Sequence, residues 1–452
     1  MTTLAPGLRR EAGLTLKLAV PIIIGELAQM SLHIIDSAMV GAIDYHQLAA
    51  VALVINTINI PFVLGIGMTV AVSQMVSLAN GRYDGKLVSH YLFNGFILCS
   101  ALSIVISLAL CFGTDILHHL GQDPEVVVHA IPFMKLMSLS LIPGLMFMTL
   151  KQFTDGLEFT KTAMILSLAA LPFNTFINWL LIYGNWGFPR LELVGAGWGT
   201  LITRTVEFIV LALVIFRHKL FRRYIAVANS QWIIRRKTMG ELLHIGTASS
   251  LQMGMEAGAF AVSGIIIGTL GAVPQAAHQI ALSLAAFTFM VSMGLAQAGS
   301  IRVSNSYGRG QWKLIDVIGR STIYTALIYG VLCAIIFTTF RHLLPQLFNH
   351  NTEVVALAAV LLLFAAIFQI SDATQAITAG LLRGIKDVKV PTVLITIAYW
   401  GIGIPVGYLL AFKLELGAKG IWLGLITGLT FAAIFLATRF LKSVKKELGE
   451  EK

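Results

Sequence analysis

Apolar residues follow one another in long runs along this chain, and short polar stretches, often with glycine or proline, separate the runs. A helix that crosses the hydrocarbon core of a bilayer needs about 20 consecutive, mainly apolar residues. Runs of that kind occupy 14–41, 47–79, 90–113, 129–152, 161–184, 194–217, 240–269, 275–306, 317–340, 354–381, 390–412 and 419–441. The pattern therefore predicts an all-α membrane protein with twelve transmembrane helices.

The composition agrees with a membrane-embedded chain. Apolar residues make up 57% of the chain and charged residues only 12%, whereas soluble domains carry about 25% charged residues. The three cysteines (Cys99, Cys111 and Cys333) lie inside apolar runs, which predicts buried thiols rather than a disulfide framework. Arg9 and Arg10 precede the first run as in a signal peptide, but that run is too long, so we expect a retained first helix.

Lysine and arginine are distributed unequally between the two ends of the predicted spans. If the N-terminus is inside, 26 of these residues lie at inner ends and only Arg190, Arg341, Lys413 and Lys419 lie in outer loops. Positive loops stay in the cytoplasm. The distribution predicts an even number of spans, both termini in the cytoplasm, and basic residues that serve membrane orientation rather than nucleic-acid binding.

The chain divides into two similar halves. The segment 67–86 aligns without gaps on 294–313, and Asp155-Gly156-Leu157 aligns on Arg383-Gly384-Ile385 at nearly the same offset. The longest connection between spans is basic and central. We therefore predict a six-helix lobe at 1–217, a cytoplasmic linker at 218–239 and a second six-helix lobe at 240–452. Two bundles related by a parallel repeat are typical of secondary transporters.

Three carboxylates lie inside the predicted spans with no basic residue within one helical turn. They are Asp36, Glu256 and Asp372. A carboxylate at membrane depth is costly and by default indicates function. In an apolar surrounding it can exchange a proton or hold a desolvated cation, so we predict that these three residues couple transport to protons or a monovalent cation. A protonated carboxyl bonded to a helix carbonyl is the alternative.

Two further acidic residues have simpler explanations. Glu207 follows Arg204 by three residues on the same helix, so the two are expected to pair. Glu26 lies deeper in the first predicted span than Lys17, where a basic side chain or water could still reach it.

Polar groups near the carboxylates can complete such sites. Asn174 and Asn178 are four residues apart and share a helix face, although asparagine also serves as packing glue between membrane helices. Gln369 shares a polar patch with Asp372. Pro21 weakens the hydrogen-bond ladder of the first helix, and we predict that this helix bends there.

Enzymatic motifs are missing from the sequence. There is no G-x4-G-K-[ST] phosphate loop and no HExxH zinc motif. An intramembrane enzyme also needs a cluster of nucleophile, base and metal ligands. We therefore expect no catalytic residues and no cofactor.

A series of motifs resembles the multidrug and toxic compound extrusion (MATE) family in its NorM-like branch. The motifs are LAVPIII with Pro21, QMSLHIIDSAMVG with Asp36, PFNTFINWLLIYG with Asn174 and Asn178, VGAGWGT at 194–200, MEAGAF with Glu256, AAHQIAL with His278 and Gln279, and FQISDATQAITAGLLRGIKD with Asp372. They cover nearly the whole chain, and their order makes the resemblance specific.

The resemblance implies a fold and an activity. The fold would be two six-helix bundles facing a central cleft. The activity would be antiport, exporting amphipathic, often cationic compounds in exchange for sodium ions or protons, in a bacterial inner membrane. The family's cation site maps onto Glu256 and Asp372, its N-lobe aspartate maps onto Asp36, and His278 and Gln279 would support substrate or cation binding. We expect a monomer.

Other classes of membrane protein stay open. A flippase for a lipid-linked substrate would need a strongly cationic cleft for pyrophosphate, whereas the charges inside the spans are mostly acidic. An intramembrane enzyme is the alternative from a different class. A channel fits less well, because single carboxylates on separate helices suit a carrier that switches between states.

Overall fold

The computed structural model describes residues 4–119, 123–226 and 232–450. Long helices dominate these ranges because each apolar run satisfies its own backbone hydrogen bonds, as a segment in lipid must. The helices are α1 (Leu4–Gly41), α2 (Tyr45–Gly81), α3 (Gly85–Phe112), α4 (Pro124–Gly156), α5 (Thr160–Tyr183), α6 (Glu192–Arg217), α7 (Lys219–Ala226), α8 (Arg236–Gly268), α9 (Ala272–Gly308), α10 (Trp312–Thr339), α11 (Thr352–Gly384), α12 (Lys389–Thr396), α13 (Ile404–Phe412) and α14 (Ala418–Glu450).

Twelve segments in the described ranges are long and apolar enough to cross a membrane, which confirms the predicted spans. Eleven of them are single helices. The remaining span, Lys389–Phe412, joins α12 and α13 through a π-helical stretch at Ile397–Gly403. Several helices extend beyond the apolar run that predicted them, since polar end residues continue the helix without contributing to its hydropathy.

Residues 24–250 form one compact unit. Helix α4 is its centre and contacts α2, α3, α5 and α6. Its apolar core includes Val54, Phe133, Met134 and Leu141. The short helix α7 packs against α3 and α6. Helix α4 therefore positions the polar side chains of its neighbours within this unit.

Residues 1–23 and 251–452 form the second compact unit. Helix α11 is its centre and contacts α9, α10 and α14. Its core includes Leu361, Phe368 and Trp422 together with Ile22 from α1. In the first unit α4 contacts α2 and α3, and here α11 contacts α9 and α10 in the same chain order. This correspondence agrees with the internal repeat.

The repeat is also visible in two glycines of the central helices. A Cβ atom added to Gly156 of α4 would lie 2.7 Å from the carbonyl oxygen of Ser73, and one added to Gly384 of α11 would lie 2.9 Å from that of Ser300. Both distances are too short for a real Cβ contact. Each unit therefore uses a glycine at the matching position to bring its central helix close to its neighbour.

The division between the units falls at different places from the predicted lobes. It lies inside α1, between Ile23 and Ile24, and inside α8, between Ser250 and Leu251. The start of α1 belongs to the second unit because Leu18, Ala19 and Ile22 join its apolar core. Arg302 also donates from Nη1 to the hydroxyl of Thr15 at 2.7 Å. The predicted linker at 218–239 lies entirely within the sequence of the first unit.

Candidate functional site

Asp36 lies on α1 with a side chain that is only 9% exposed. Asn178 of α5 donates from Nδ2 to Oδ1 of Asp36 at 2.6 Å, and Thr200 of α6 donates to Oδ2 at 3.0 Å. Each carboxylate oxygen therefore has a donor. Hydrogen bonds of this kind stabilise the ionised form of a buried carboxyl group, whereas burial opposes it.

The network continues through the second predicted asparagine. Asn178 Nδ2 also lies 3.2 Å from Asn174 Oδ1, and Asn174 Nδ2 donates to the hydroxyl of Thr203 at 3.3 Å. Asn174 and Asn178 are both buried. The structure therefore brings Asp36 and both predicted asparagines together, and it adds Thr200 and Thr203, which the sequence analysis did not select.

A small pocket, with room for about one water molecule, opens beside this network. Its lining residues are Gln29, Leu32, His33, Asp36, Asn174, Thr200, Thr203 and Arg204. Most of them carry hydrogen-bonding groups. The pocket therefore presents one carboxylate, one guanidinium and several neutral polar groups to whatever occupies it.

The guanidinium of Arg204 has partners other than the predicted one. Its Nη1 donates to the hydroxyl of Ser140 at 2.8 Å, and its Cζ lies 5.5 Å from the ring centroid of Phe62. Glu207 instead accepts from Gln29 Nε2 at 2.8 Å. Arg204 and Glu207 interact electrostatically, as expected, but no hydrogen bond or ion pair within the described residues joins their side chains. Gly144 leaves space for the arginine stem beside α4, so the guanidinium extends along that helix.

Glu26 forms an ion pair with Lys151 of α4. The lysine side chain is 2% exposed and the glutamate side chain 23%. A basic side chain within reach of Glu26 was one of the two expectations, and this one comes from a residue 125 positions away. Buried lysines are rarely found without such a partner.

The second unit contains Glu256 on α8 and Asp372 on α11. Gln375 donates from Nε2 to Oε1 of Glu256 at 2.6 Å. Asp372 is 3% exposed and interacts electrostatically with Glu256. The two carboxylates predicted to form a cation site therefore influence each other within one unit.

Gln369 lies one helical turn before Asp372 on α11 and is completely buried. Neither its amide nitrogen nor its amide oxygen has a hydrogen-bond partner among the described residues. A buried amide without partners costs free energy. Gln369 therefore has an unused donor and an unused acceptor one turn before Asp372, and its support for a cation site stays a prediction.

Aromatic side chains surround this polar group. Tyr399, which lies in the π-helical stretch, is 1% exposed, and its ring centroid is 5.8 Å from that of Phe260. Trp400 donates from Nε1 to the carbonyl of Met255 at 3.1 Å. Sequence analysis missed Tyr399, and an irregular helical turn in an apolar run leaves no sequence signal that would have found it.

His278 and Gln279 occupy different environments on α9. His278 is completely buried and stacks edge-on against Trp422, with ring centroids 5.8 Å apart, while Gln279 is exposed. Among the described residues neither side chain hydrogen-bonds Glu256 or Asp372. Their support for the cation site stays a prediction from the resemblance. The described ranges also contain no group of three or more His, Cys, Asp or Glu residues arranged as a metal site.

Comparisons with known proteins agree on one family. The MatE family model matches residues 21–180 and 248–409. The probable multidrug resistance protein NorM of Mesorhizobium japonicum is 33% identical over 441 residues, which cover 96% of this chain and 94% of that protein.

Two solved structures share the fold. The crystal structure of the eukaryotic MATE transporter AtDTX14 gives a TM-score of 0.87 at 22% identity, covering 98% of this chain and 99% of that one. A crystal structure of MATE in the bent conformation gives 0.89 at 19% identity, covering 100% and 99%.

The fold places the chain in a class of protein, and the comparisons place it in a family. A chain with twelve candidate membrane spans in two compact helical units is a multi-pass membrane protein, and its match to the MatE model makes it a transporter and not an enzyme. The chain belongs to the MatE family, which confirms the resemblance found in its motifs.

Proposed function

We propose that this chain is a secondary active multidrug efflux antiporter of a bacterial inner membrane, with both termini in the cytoplasm. It exports amphipathic, often cationic compounds in exchange for protons or sodium ions, by alternating access, and acts as a monomer. The relatives named as multidrug resistance proteins support the substrate class. The excess of Lys and Arg at one set of span ends supports the orientation.

The observation that carries the proposal is a buried acidic site in each compact unit. Asp36 sits in one unit with two hydrogen-bond donors. Glu256 and Asp372 sit in the other with a buried, unpartnered Gln369. An isolated charge is expensive to bury. The cost of burying these carboxylates is explained if they bind and release a cation or a proton during each transport cycle.

The two sites differ in charge, which bears on the coupling ion. The pocket beside Asp36 already contains the guanidinium of Arg204. Two unit charges 4 Å apart interact by about 4 kcal/mol at an effective dielectric constant of 20, so Arg204 opposes any further positive charge there, whether a proton or a metal cation. The pair Glu256 and Asp372, with the amide of Gln369, suits either a proton or a monovalent cation.

Pro21 provides a point at which α1, the helix that carries Asp36, can bend. It lies inside α1, two residues before the point where this helix passes from one compact unit to the other. A proline removes one backbone donor and weakens the helix next to it. We infer that α1 bends at Pro21 when the charge on Asp36 changes, since binding can drive a switch only if it favours one state.

Dye efflux tests the proposed function. Cells that express the chain are loaded with a cationic fluorescent dye, and the proton and sodium gradients are collapsed separately. Efflux above that of cells without the chain, which stops when one gradient is collapsed, is the expected result. Efflux that continues without either gradient would refute antiport. Transfer of a labelled lipid-linked substrate across vesicles, with no dye efflux, would favour the flippase instead.

A further inference from the structure

The connection between α6 and α8 carries positive charge only. Seven Lys and Arg residues lie between 217 and 237, and no Asp or Glu occurs from 208 to 240. Both neighbouring helices are membrane spans, one ending at Arg217 and the other beginning at Arg236. The described parts of the connection, Lys219–Ala226 and 232–235, therefore adjoin the ends of two candidate spans.

One face of the short helix α7 is fixed to its own unit. Phe221 is 1% exposed, and its ring centroid lies 5.4 Å from that of Phe159. Tyr224, one turn further, is also buried and donates from its hydroxyl to Oδ1 of Asn80 at 3.2 Å. These contacts hold α7 in one rotation about its axis.

The other face of α7 is basic and exposed. Lys219, Arg222 and Arg223 have the spacing i, i+3 and i+4, so they share one face, and all three are exposed. Leu220 beside them is 45% exposed. Arg223 also donates from Nη2 to the hydroxyl of Tyr224 at 2.6 Å, so this arginine is held at the edge of the exposed face.

A second segment, at 232–235, is fixed to the same unit. Asn94 is completely buried and makes two backbone hydrogen bonds: it donates to the carbonyl of Ile233 at 3.2 Å and accepts from the N–H of Arg235 at 3.0 Å. Trp232 stacks on Phe93 with ring centroids 5.4 Å apart. A buried asparagine that makes both bonds sets the path of this segment.

This second segment presents apolar and basic side chains next to each other. Ile233 and Ile234 are 57% and 59% exposed. Arg235, Arg236 and Lys237 follow directly and are exposed as well. Exposed isoleucine and tryptophan beside arginine is the composition of segments that lie in the headgroup region of a bilayer.

We propose that Lys219, Arg222, Arg223, Arg235, Arg236 and Lys237 form a binding surface for anionic phospholipid headgroups, here called the basic connector surface. The exposed apolar side chains would enter the acyl boundary while the basic groups bind lipid phosphates. Clusters of four to eight basic residues directly beside membrane helices have this lipid preference. The connector contains no carboxylate that would compete with the lipid for these groups. The proposal is independent of which substrate or ion is transported.

The test measures lipid binding to the purified full-length protein in non-ionic detergent. Native mass spectrometry counts the adducts formed with dioleoylphosphatidylglycerol and with dioleoylphosphatidylcholine. The variant is Lys219→Gln/Arg222→Gln/Arg223→Gln. The matched control is Lys442→Gln/Lys445→Gln/Lys446→Gln, which removes the same charge at the same helical spacing from exposed positions of α14.

We expect wild-type protein to prefer phosphatidylglycerol. In the α7 variant, the ratio of phosphatidylglycerol to phosphatidylcholine adducts should fall by at least about tenfold. Each basic residue near an anionic surface raises lipid affinity roughly fivefold. The α14 control should keep most of it. A second variant, Arg235→Gln/Arg236→Gln/Lys237→Gln, should show the same loss if the first one folds poorly.

Three results would overturn the proposal. The first is equal binding of the two lipids by wild-type protein. The second is an equal loss in the α14 control, which would reduce the effect to net charge. The third is complete displacement of the lipid preference by millimolar inorganic phosphate or by RNA, which would assign the surface to a different ligand.

Discussion

The amide of Asn178 donates to the carboxylate of Asp36 at 2.6 Å, although the two residues are 142 positions apart. The contact joins α5 to the half of α1 that lies beyond Pro21. An amide nitrogen can only donate, so this contact requires an acceptor at Asp36 Oδ1. One oxygen of the Asp36 carboxyl group therefore fixes the position of α1 against α5.

Asp36→Asn should abolish coupled efflux without loss of expression. The asparagine has the same shape, and its amide oxygen can still accept from Asn178, so the helices should pack normally while the charge is gone. Some drug binding should remain. Dye efflux and drug binding are measured in parallel, with Asp44→Asn in the α1–α2 connection as the control. A normal efflux rate in Asp36→Asn under both gradients would show that Asp36 has no coupling role.

Glu256→Gln and Asp372→Asn should each remove drug resistance while the protein stays in the membrane. Each change deletes one of two interacting carboxylates near the unpartnered amide of Gln369. Moving one charge through 100 mV is equivalent to about 2.3 kcal/mol, so loss of one coupled charge should reduce the drug gradient that cells maintain.

Minimum inhibitory concentrations and membrane immunoblots provide the measurement for these two variants. Glu353→Gln, an exposed carboxylate in the first turn of α11, is the matched control and should behave as wild type. Normal resistance in both site variants would make Glu256 and Asp372 structural carboxyls.

Most of the fold could be predicted because span length is a local property. Each apolar run is long enough to cross a bilayer, and the helices follow those runs. The division of α1 between two units could not be predicted in that way. It depends on contacts such as the one from Arg302 to Thr15, which are 287 residues apart, and no local pattern encodes them.

The candidate site was predicted in part. Asn174 and Asn178 share a helix face, so once Asn178 reaches Asp36 the second amide follows. Thr200 and Thr203 were missed, although their spacing of three on α6 placed a polar stripe beside Arg204. Arg204 and Glu207 interact electrostatically, as their spacing predicted. Their hydrogen bonds go instead to Ser140 and Gln29 on other helices, which proximity along one helix could not predict.

Lys151→Met should lower stability more than Lys151→Met/Glu26→Gln. The single change leaves the carboxylate of Glu26 without its partner, and breaking a buried ion pair in this way costs about 3–5 kcal/mol. Glu26 is 23% exposed, which places the expected loss at the lower end. The double change removes both charges and should recover part of it. Thermal unfolding of the purified protein, followed by size-exclusion chromatography, compares the two, and equal losses would contradict the pairing.

The orientation can be tested by cysteine labelling. In a background without Cys99, Cys111 and Cys333, His218→Cys in the connection after α6 should react with an impermeant thiol reagent only from the cytoplasm. Glu125→Cys, in the first turn of α4, should react only from outside. Both positions are exposed, so lack of labelling from one side reports topology. The reverse pattern would contradict the orientation derived from the basic residues.

Pro21→Ala should slow transport without removing drug binding. Alanine restores the backbone donor that proline lacks, and it favours a helix interior by about 3 kcal/mol over proline. A straight α1 becomes more stable, and any state in which α1 bends there becomes less populated. Binding sites that contain Asp36, Glu256 and Asp372 keep all their side chains. The expected result is a lower initial rate of dye efflux with an unchanged Kd for the drug. Pro61→Ala, which changes the same residue type inside α2, is the control for a general effect of proline removal. If Pro21→Ala transported at the wild-type rate, or if Pro61→Ala slowed transport equally, bending at Pro21 would not be the step that links the charge on Asp36 to transport.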